Sequence, residues 1–424
     1  MSTPDVRSRV LDAVRRHAEA IPARVALIGA GGEMSWARLS GCVHDFAGVL
    51  AAAGVRRLGV ALDNGAAWIV ADLAAMQAGV IVVPLPPFFT LAQRDHAIRD
   101  AGVDHVLLVS AASADDAPDI VEIAGEGVVL SPVSRPSDAA LHAGTAKVTY
   151  TSGTTGAPKG VCLSLAHQEA VAAALAGAVG FRPADRHLCV LPLATLLENV
   201  GGVYAPFLGG ASVLVPPLAA LGLSGSSGLD AGRFAAALLH WRPTTAILIP
   251  QMLNALVAAV EQGAALPASL RFVAVGGARV AADLLERAAE RHLPVYQGYA
   301  ERHLPVYQGY GLSECASVVA LNRRDANRPG SVGRALPHVE VDVVDGEIVV
   351  RGGVMLGYAG ASEGPAGVWR TGDVGHVDED GFLHITGRRR NVLISAFGRN
   401  VSPEWVESEL LASGAILQAV VFGD

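Results

Sequence analysis

Tyr150-Thr151-Ser152-Gly153-Thr154-Thr155-Gly156-Ala157-Pro158-Lys159-Gly160 carries the strongest chemical signal in the chain. It lies between a strand-like run, Lys147 to Tyr150, and a second apolar run that starts at Val161. Small residues let backbone amides approach a polyphosphate closely, the hydroxyls add donors, and one lysine adds charge. The order Gly-x-x-x-x-Gly-Lys-Ser/Thr cannot be placed on the segment, so it is not a Walker-type loop. The alternative is a Gly/Thr-rich turn with a solvated lysine. Composition tips the choice: of 32 basic residues, only Lys147 and Lys159 are lysines. A chain that uses arginine for general positive charge keeps lysine where a compact point charge fits. Phosphate binding is therefore the expectation.

Other chemistry-bearing patterns are weaker. Gly29-Ala30-Gly31-Gly32 sits between two apolar runs and lacks the full dinucleotide-loop spacing, so it reads as a tight turn between strands. No His-Glu-x-x-His or Gly-x-Ser-x-Gly occurs, and the 13 histidines show no metal-ligand spacing. Cys42, Cys162, Cys189 and Cys315 lie far apart, which argues against a disulfide framework or a zinc site. Cys315, beside Glu314, reads as a packed small side chain.

The elements that must position the loop follow from periodicity. From Leu58 to Val109 and from Lys147 to about Val275, short apolar runs alternate with helical patterns. The expected helices are Trp68–Ala78, Leu91–Ala101, Ala166–Ala178, Ala231–Trp241 and Met252–Gln262. Such alternation predicts an α/β fold with two doubly wound, mostly parallel sheets. After about Pro329 short strands separated by Gly/Asp turns predict a small antiparallel sheet or barrel. Glu290–Tyr299 and Glu301–Tyr310 are identical, a local tandem duplication of which only the second copy runs into Gly311. The 424 residues are 51% hydrophobic and 17% charged, which excludes a disordered chain. The net charge of −8 without a basic patch excludes a dedicated nucleic-acid binder. The polar start and the Pro/Gly-broken uncharged run from Asn199 to Leu229 lead to the expectation of a cytoplasmic protein without a membrane span.

Six stretches, in order, resemble the adenylate-forming superfamily of AMP-dependent synthetases and ligases. They are Thr151–Gly160, Val275–Val280, Tyr310–Glu314, Gly346–Tyr358, Trp369–Asp373 and Ile385–Pro403. Leu191–Val200 resembles the Leu-Pro-Leu-Ala-His-x-x-Glu stretch of long-chain fatty acyl-CoA synthetases, with Thr195 in the place of that histidine. The resemblance implies an enzyme that activates a carboxylic acid with ATP and Mg²⁺ to acyl-AMP. The acyl group then passes to CoA, or to an acyl carrier protein. A fatty acid is the expected substrate; a non-catalytic nucleotide and acyl binder is the alternative.

The same resemblance implies site residues. Thr151, Ser152, Gly153, Thr154, Thr155, Gly156 and Lys159 would hold the β- and γ-phosphates. Ser313 would donate to the α-phosphate, and Glu314 would bind Mg²⁺, a hard cation that favours carboxylate oxygen. Gly276, Gly277 and Ala278 would lie on the adenine side, with Tyr310 and Gly311 beside the base. Asp373 would accept from the ribose hydroxyls, and Arg388 would reach ribose or phosphate. The residue-level alternatives are a Gly-Asp turn for Asp373 and a helix cap for Glu314. Thr195, Leu196, Leu197, Tyr204 and Met252 would line the acyl side.

The expected division is an ATP- and acyl-binding domain over 1–387 and a hinge with an incomplete C-terminal domain over 388–424, the hinge at Arg390. The family's late lysine has no counterpart, since no lysine follows Lys159. Impaired turnover is the expectation for a truncated chain of this kind.

Overall fold

The computed structural model describes residues 8–110, 120–151, 158–225, 228–290, 306–389, 393–394, 400–401, 403, 406–407, 410 and 419–421. The chain forms two compact units: Met1–Gly228 with Met355–Ala366, and Leu229–Val354 with Gly367–Asp424. The fold is α/β. Among the described residues no helix is long and apolar enough to cross a membrane.

The first unit opens with a helix, Arg9–Ala20, whose N-terminus is capped by the Ser8 side chain. An antiparallel hairpin follows, Val25–Gly29 with Gly32–Ser35, so the Gly29–Gly32 segment is a turn, as its flanking apolar runs predicted. The sheet beside the candidate phosphate loop has eight strands. Its parallel centre pairs Arg57–Ala61 with Ile81–Pro84 and His105–Val109, and Ile81–Pro84 with Thr145–Thr151. Both edges turn antiparallel: Lys159–Ser164 against Thr145–Thr151, and Glu126–Pro132 against His105–Val109. The parallel character predicted from strand–helix alternation therefore holds for the centre only. A short hairpin connection reverses the strand without needing a crossover helix.

Helices sit close to their predicted places, at Ala66–Ala78, Leu91–Asp100 and Leu165–Val179 in this unit. The Leu91–Asp100 helix begins with a reciprocal capping box between Thr90 and Gln93, which satisfies amides that the first turn leaves unpaired. Ala66–Ala78 is buried on every side through its first ten residues. That burial includes Asp72, whose carboxylate meets the Lys147 ammonium at 2.8 Å with side chains 2% and 3% exposed. Burial pushes the Lys147 pKa down from its ordinary value, and Asp72 acts in the opposite sense.

The second unit carries a parallel run of Thr245–Leu248, Phe272–Val275 and Val306–Leu312. Ser317–Leu321 then returns antiparallel to the last of these. Val306–Leu312 includes the end of the second duplicate, so the second copy supplies the paired strand. Apart from Glu290, the last residue of the helix Ala282–Glu290, the first copy lies outside the described residues. Helices Ala231–Trp241 and Pro250–Glu261 match their predicted spans closely. A four-stranded antiparallel sheet follows: Val339–Val344, Glu347–Gly352, Val368–Val377 and Leu383–Arg388. Val339 and Val350 from this sheet share a core with Cys315 and Val319. Cys315 is thus the packed small side chain expected of it.

Replacing one member of a buried ion pair leaves an uncompensated charge and costs about 3–5 kcal/mol, whereas replacing both with apolar groups is often neutral. Lys147→Met should therefore destabilise the protein by about that amount, and adding Asp72→Leu should restore most of the loss. Urea unfolding of the single and double variants checks both statements.

Candidate functional site

In the first unit, the phosphate-loop candidate is the connection of an antiparallel hairpin. Thr151 ends one strand and pairs with Lys159, which begins the next. Ser152, Gly153, Thr154, Thr155 and Gly156 lie outside the described residues. Three contacts fix the stems. His96 Nε2 is 2.9 Å from the Pro158 carbonyl oxygen. The Tyr150 hydroxyl donates to Asp100 Oδ2 at 2.7 Å; burial first, and then that hydrogen bond to Asp100, push its pKa well up, so it stays a donor. Lys159 is exposed, with its Nζ 5.3 Å from the centroid of the Tyr358 ring. Tyr358 belongs to the short strand Gly357–Tyr358, which pairs with Lys159–Ser164. His96 and Asp100 gave no functional signal in the sequence, whereas Tyr358 closes the Gly346–Tyr358 stretch without a role of its own.

The acyl-side candidates lie on a loop and a wide helical turn. Asn64 clamps the loop: its Nδ2 donates to Leu191 O, and its Oδ1 accepts from Leu193 N, both at 2.8 Å. Thr195 then precedes the short helix Leu196–Glu198, with its hydroxyl on the Pro192 carbonyl. Leu196 is buried, and Thr195 and Leu197 are half-buried. The following turn, Asn199–Tyr204, is π-helical. Tyr204 departs from its predicted role. Its hydroxyl is committed to Asp72 and Lys147 inside the unit, and the residue is 1% exposed. A side chain satisfied in the core offers no face to a substrate.

The fold also brings His187, Cys189 and Glu198 together, with ligand atoms all within 4.8 Å and all three residues buried. Sequence spacing did not show this cluster. His187 Nε2 and Glu198 Oε1 are 3.0 Å apart, while Glu198 Oε2 accepts from Leu191 N at 2.8 Å. The carboxylate is thus used to hold the Leu191–Leu193 loop. Burial, then the neighbouring Glu198, push the Cys189 thiol well up. A thiol in that state is a poor nucleophile.

In the second unit, Gly276 closes the strand Phe272–Val275 by donating to Leu248 O, and Gly277 turns the chain with a φ of 83°. Gly277 and Ala278 are exposed. Met252, at the start of the Pro250–Glu261 helix, is buried. Tyr310 and Gly311 lie on Val306–Leu312, at a shift in its pairing register with Ser317–Leu321. A Cβ on Gly311 would lie 1.9 Å from the Ser317 carbonyl oxygen. Ser313 and Glu314, both half-buried, occupy a single 3₁₀ turn, Ser313–Cys315. Ala316 and Ser317 leave it with φ of 57° and 119°. Left-handed non-glycine backbone costs on the order of 1–3 kcal/mol and concentrates at functional sites.

Asp373 is buried, and the fold brings Tyr310 and Arg388 to it. The Tyr310 hydroxyl donates to Oδ2 at 2.6 Å, and Arg388 Nε donates to Oδ1 at 2.9 Å. Burial, then the Asp373 charge, push the Tyr310 pKa well up. Each carboxylate oxygen keeps a further lone pair, so the group can still accept from a diol. Glu347 sets the turn before it. Its carboxylate accepts from Arg370 Nη2 at 2.6 Å, Gly372 N at 3.0 Å and Arg389 Nη1 at 3.1 Å. Burial opposes ionisation of Glu347, but Arg370, the Gly372 amide and Arg389 together hold its carboxyl below the ordinary value of 4.5. Glu347 was not expected at the site; the signal was an acid opposite two arginines across three strands. Arg390, the expected hinge, lies outside the described residues.

Residues 14–359 match the family described as AMP-binding enzyme. The chain is 27% identical to a 2-succinylbenzoate–CoA ligase of Bacillus pumilus, over 95% of this chain and 82% of that protein. It is 28% identical to the long-chain-fatty-acid–CoA ligase FadD15 of Mycobacterium bovis, over 84% of this chain and 69% of that one. Among solved structures it is similar to o-succinylbenzoate CoA synthetase from Bacillus subtilis in complex with the acyl-adenylate intermediate OSB-AMP. That match has a TM-score of 0.77 at 26% identity and covers 99% of this chain and 85% of the other.

Two predictions follow from this geometry. Gly311→Ala drives a Cβ into the backbone of Ser317 and Val318 on the return strand and should lower the thermal midpoint; a melting curve equal to wild type would contradict the register described. Glu347 binds fewer protons folded than unfolded below its ordinary value. Its contribution to stability is present above pH 4.5 and lost as pH falls through the depressed folded value. The stability gap between wild type and Glu347→Gln should therefore be constant at neutral pH and shrink on acidification, as read from unfolding curves at stepped pH.

Proposed function

The chain belongs to the AMP-binding enzyme family, and from that premise we propose that it is an AMP-forming acid–CoA ligase. The acid's carboxylate oxygen attacks the α-phosphorus of ATP. A bond forms between them as the bond from the α-phosphorus to the bridging oxygen breaks, and pyrophosphate leaves. The CoA sulfur, as thiolate, then attacks the acyl carbon of acyl-AMP, a C–S bond forms, and AMP departs. Both reactants of the first step are anions, so the protein must screen charge and align the attack.

The observation that carries the reading is the Tyr310–Asp373–Arg388 set. A buried carboxylate oriented by a phenol and a guanidinium suits a ribose diol. Gly276, Gly277, Ala278 and Gly311 bring backbone near the base, and Tyr310 flanks it. Thr151, Ser152, Gly153, Thr154, Thr155, Gly156 and Lys159 hold the β- and γ-phosphates, and Ser313 donates to the α-phosphate. Glu314 suits Mg²⁺, which takes one or two carboxylates and completes its shell with water and phosphate oxygens. Bound there, the cation neutralises phosphate charge.

Thr195, Leu196, Leu197 and Met252 are our acyl-side residues, without Tyr204. An aryl-bearing acid is the favoured substrate class, supported by the 2-succinylbenzoate relative and by the solved structure with its acyl-adenylate. A fatty acid is the second reading, supported by Leu191–Val200 and by the long-chain relative. Pyrophosphate release across benzoate-type and straight-chain acids separates them. Faster turnover on aryl acids supports the first. Affinity that rises by about 0.8 kcal/mol per methylene supports the second. Lys159→Ala should weaken ATP binding by about 1–3 kcal/mol, the scale of a charge-assisted contact. Calorimetry on folded protein checks it, and unchanged affinity would remove Lys159 from the site.

A further inference from the structure

Lys147, Asp72, Asn199 and Tyr204 form a closed polar set inside the first unit that none of the nucleotide motifs uses. Lys147 Nζ meets Asp72 Oδ1 at 2.8 Å and donates to Tyr204 Oη at 3.0 Å and to Asn199 Oδ1. Those three acceptors use all three ammonium protons. Asn199 Nδ2 donates to Asp72 Oδ2 at 2.9 Å, and the Tyr204 hydroxyl donates to the same oxygen. The ammonium also lies 5.2 Å and 5.8 Å from the ring centroids of Tyr204 and Trp68. One of only two lysines in the chain is spent here, where arginine's planar fork would not fit a compact three-acceptor pocket.

Asn199 and Tyr204 are the first and last residues of the π turn, and the Ala205 amide closes it by donating to Val200 O. In an α-helix, residues five apart point about 140° away from each other. The wider π turn, with its i→i+5 bonding, narrows that angle, and both side chains reach one ammonium. The preceding residue, Glu198, is pinned by His187 and by the Leu191 amide. Inside the turn, a Cβ on Gly202 would lie 2.0 Å from Glu198 Oε1 and 2.8 Å from His187 Nε2. Tightening the turn to α geometry removes one residue from it. Thr195–Leu197 would then rotate by about 100° relative to the segment after the turn, where Phe207 is fixed in the core.

We infer that Lys147, Asp72, Asn199 and Tyr204 are positioning residues for acid selectivity: they hold the turn in its π form and so fix which faces of Thr195, Leu196 and Leu197 meet the acid. The selectivity consequence rests on the ligase reading above; the geometric part does not.

The test uses the full chain with Tyr204→Phe, which keeps the ring and loses both hydroxyl bonds, and with the double variant Asp72→Leu/Lys147→Met. The first readout is a crystal structure of each. The expected result is that the Ala205 amide shifts its acceptor from Val200 O to Gly201 O in at least the double variant. A π turn retained in both overturns the proposal. The second readout is pyrophosphate release with benzoate and dodecanoate at varied acid and varied ATP. The ratio of kcat/KM between the two acids should move at least tenfold, while KM for ATP stays within twofold. A uniform loss on both acids, or an unchanged ratio, overturns the selectivity role. A wild type that turns over no acid overturns the ligase reading and the selectivity consequence with it; the Ala205 acceptor still decides the geometric part.

Discussion

A charged ammonium removed from water has to be met at every proton, and at Lys147 that requirement organises the first unit. Lys147 lies on the strand Thr145–Thr151 that leads straight into the phosphate-loop candidate. Its partners come from the buried helix Ala66–Ala78 and from the π turn behind Thr195–Leu197. One buried charge thus ties the strand before the phosphate-loop candidate to the turn that follows Thr195–Leu197. Apolar packing could fill the same volume, but it would not fix the rotation of a turn, because dispersion contacts have no direction.

The second unit solves a related problem with backbone. Gly311 allows the return strand to press against it, and Ala316 and Ser317 accept left-handed backbone so that Ser313 and Glu314 occupy a single short turn. Strain of this sort persists only where the surroundings over-determine it. Here the core of Cys315, Val319, Val339 and Val350 does so. Glu347 performs the equivalent service for Asp373: two guanidiniums and an amide hold one carboxylate, and the Gly372 turn follows.

Much of this was legible in the sequence. Helix positions were, because their apolar periodicity is local and capping residues mark their ends. Motif positions were, because Gly-rich and Gly-Asp segments fall where strands end. The antiparallel edges were not, since alternation of side chains says nothing about strand direction. The Lys147 partners were not, because they are distant along the chain and ordinary in type. The core place of Tyr204 is not legible in the sequence for a specific reason: a helix of ordinary pitch turns it away from Asn199, and nothing local announces a π turn except the pair Gly201-Gly202. His187 and Cys189 share a face by strand alternation, but Glu198 joins them only through the Leu191–Leu193 loop.

Tyr358, which lies against Lys159, arrives late in the chain. Its strand belongs to the first unit, although the chain between Leu229 and Val354 belongs to the second. The path therefore leaves the first unit, builds most of the other, returns for a dozen residues and leaves again. No single cut in the polypeptide can release both units whole. During synthesis, the sheet edge beside Lys159–Ser164 stays open until Gly357 and Tyr358 have emerged from the ribosome. For that interval the strand presents unpaired amides and carbonyls, the kind of edge to which other chains add. The nascent protein is accordingly most exposed to mispairing while its second unit is being made.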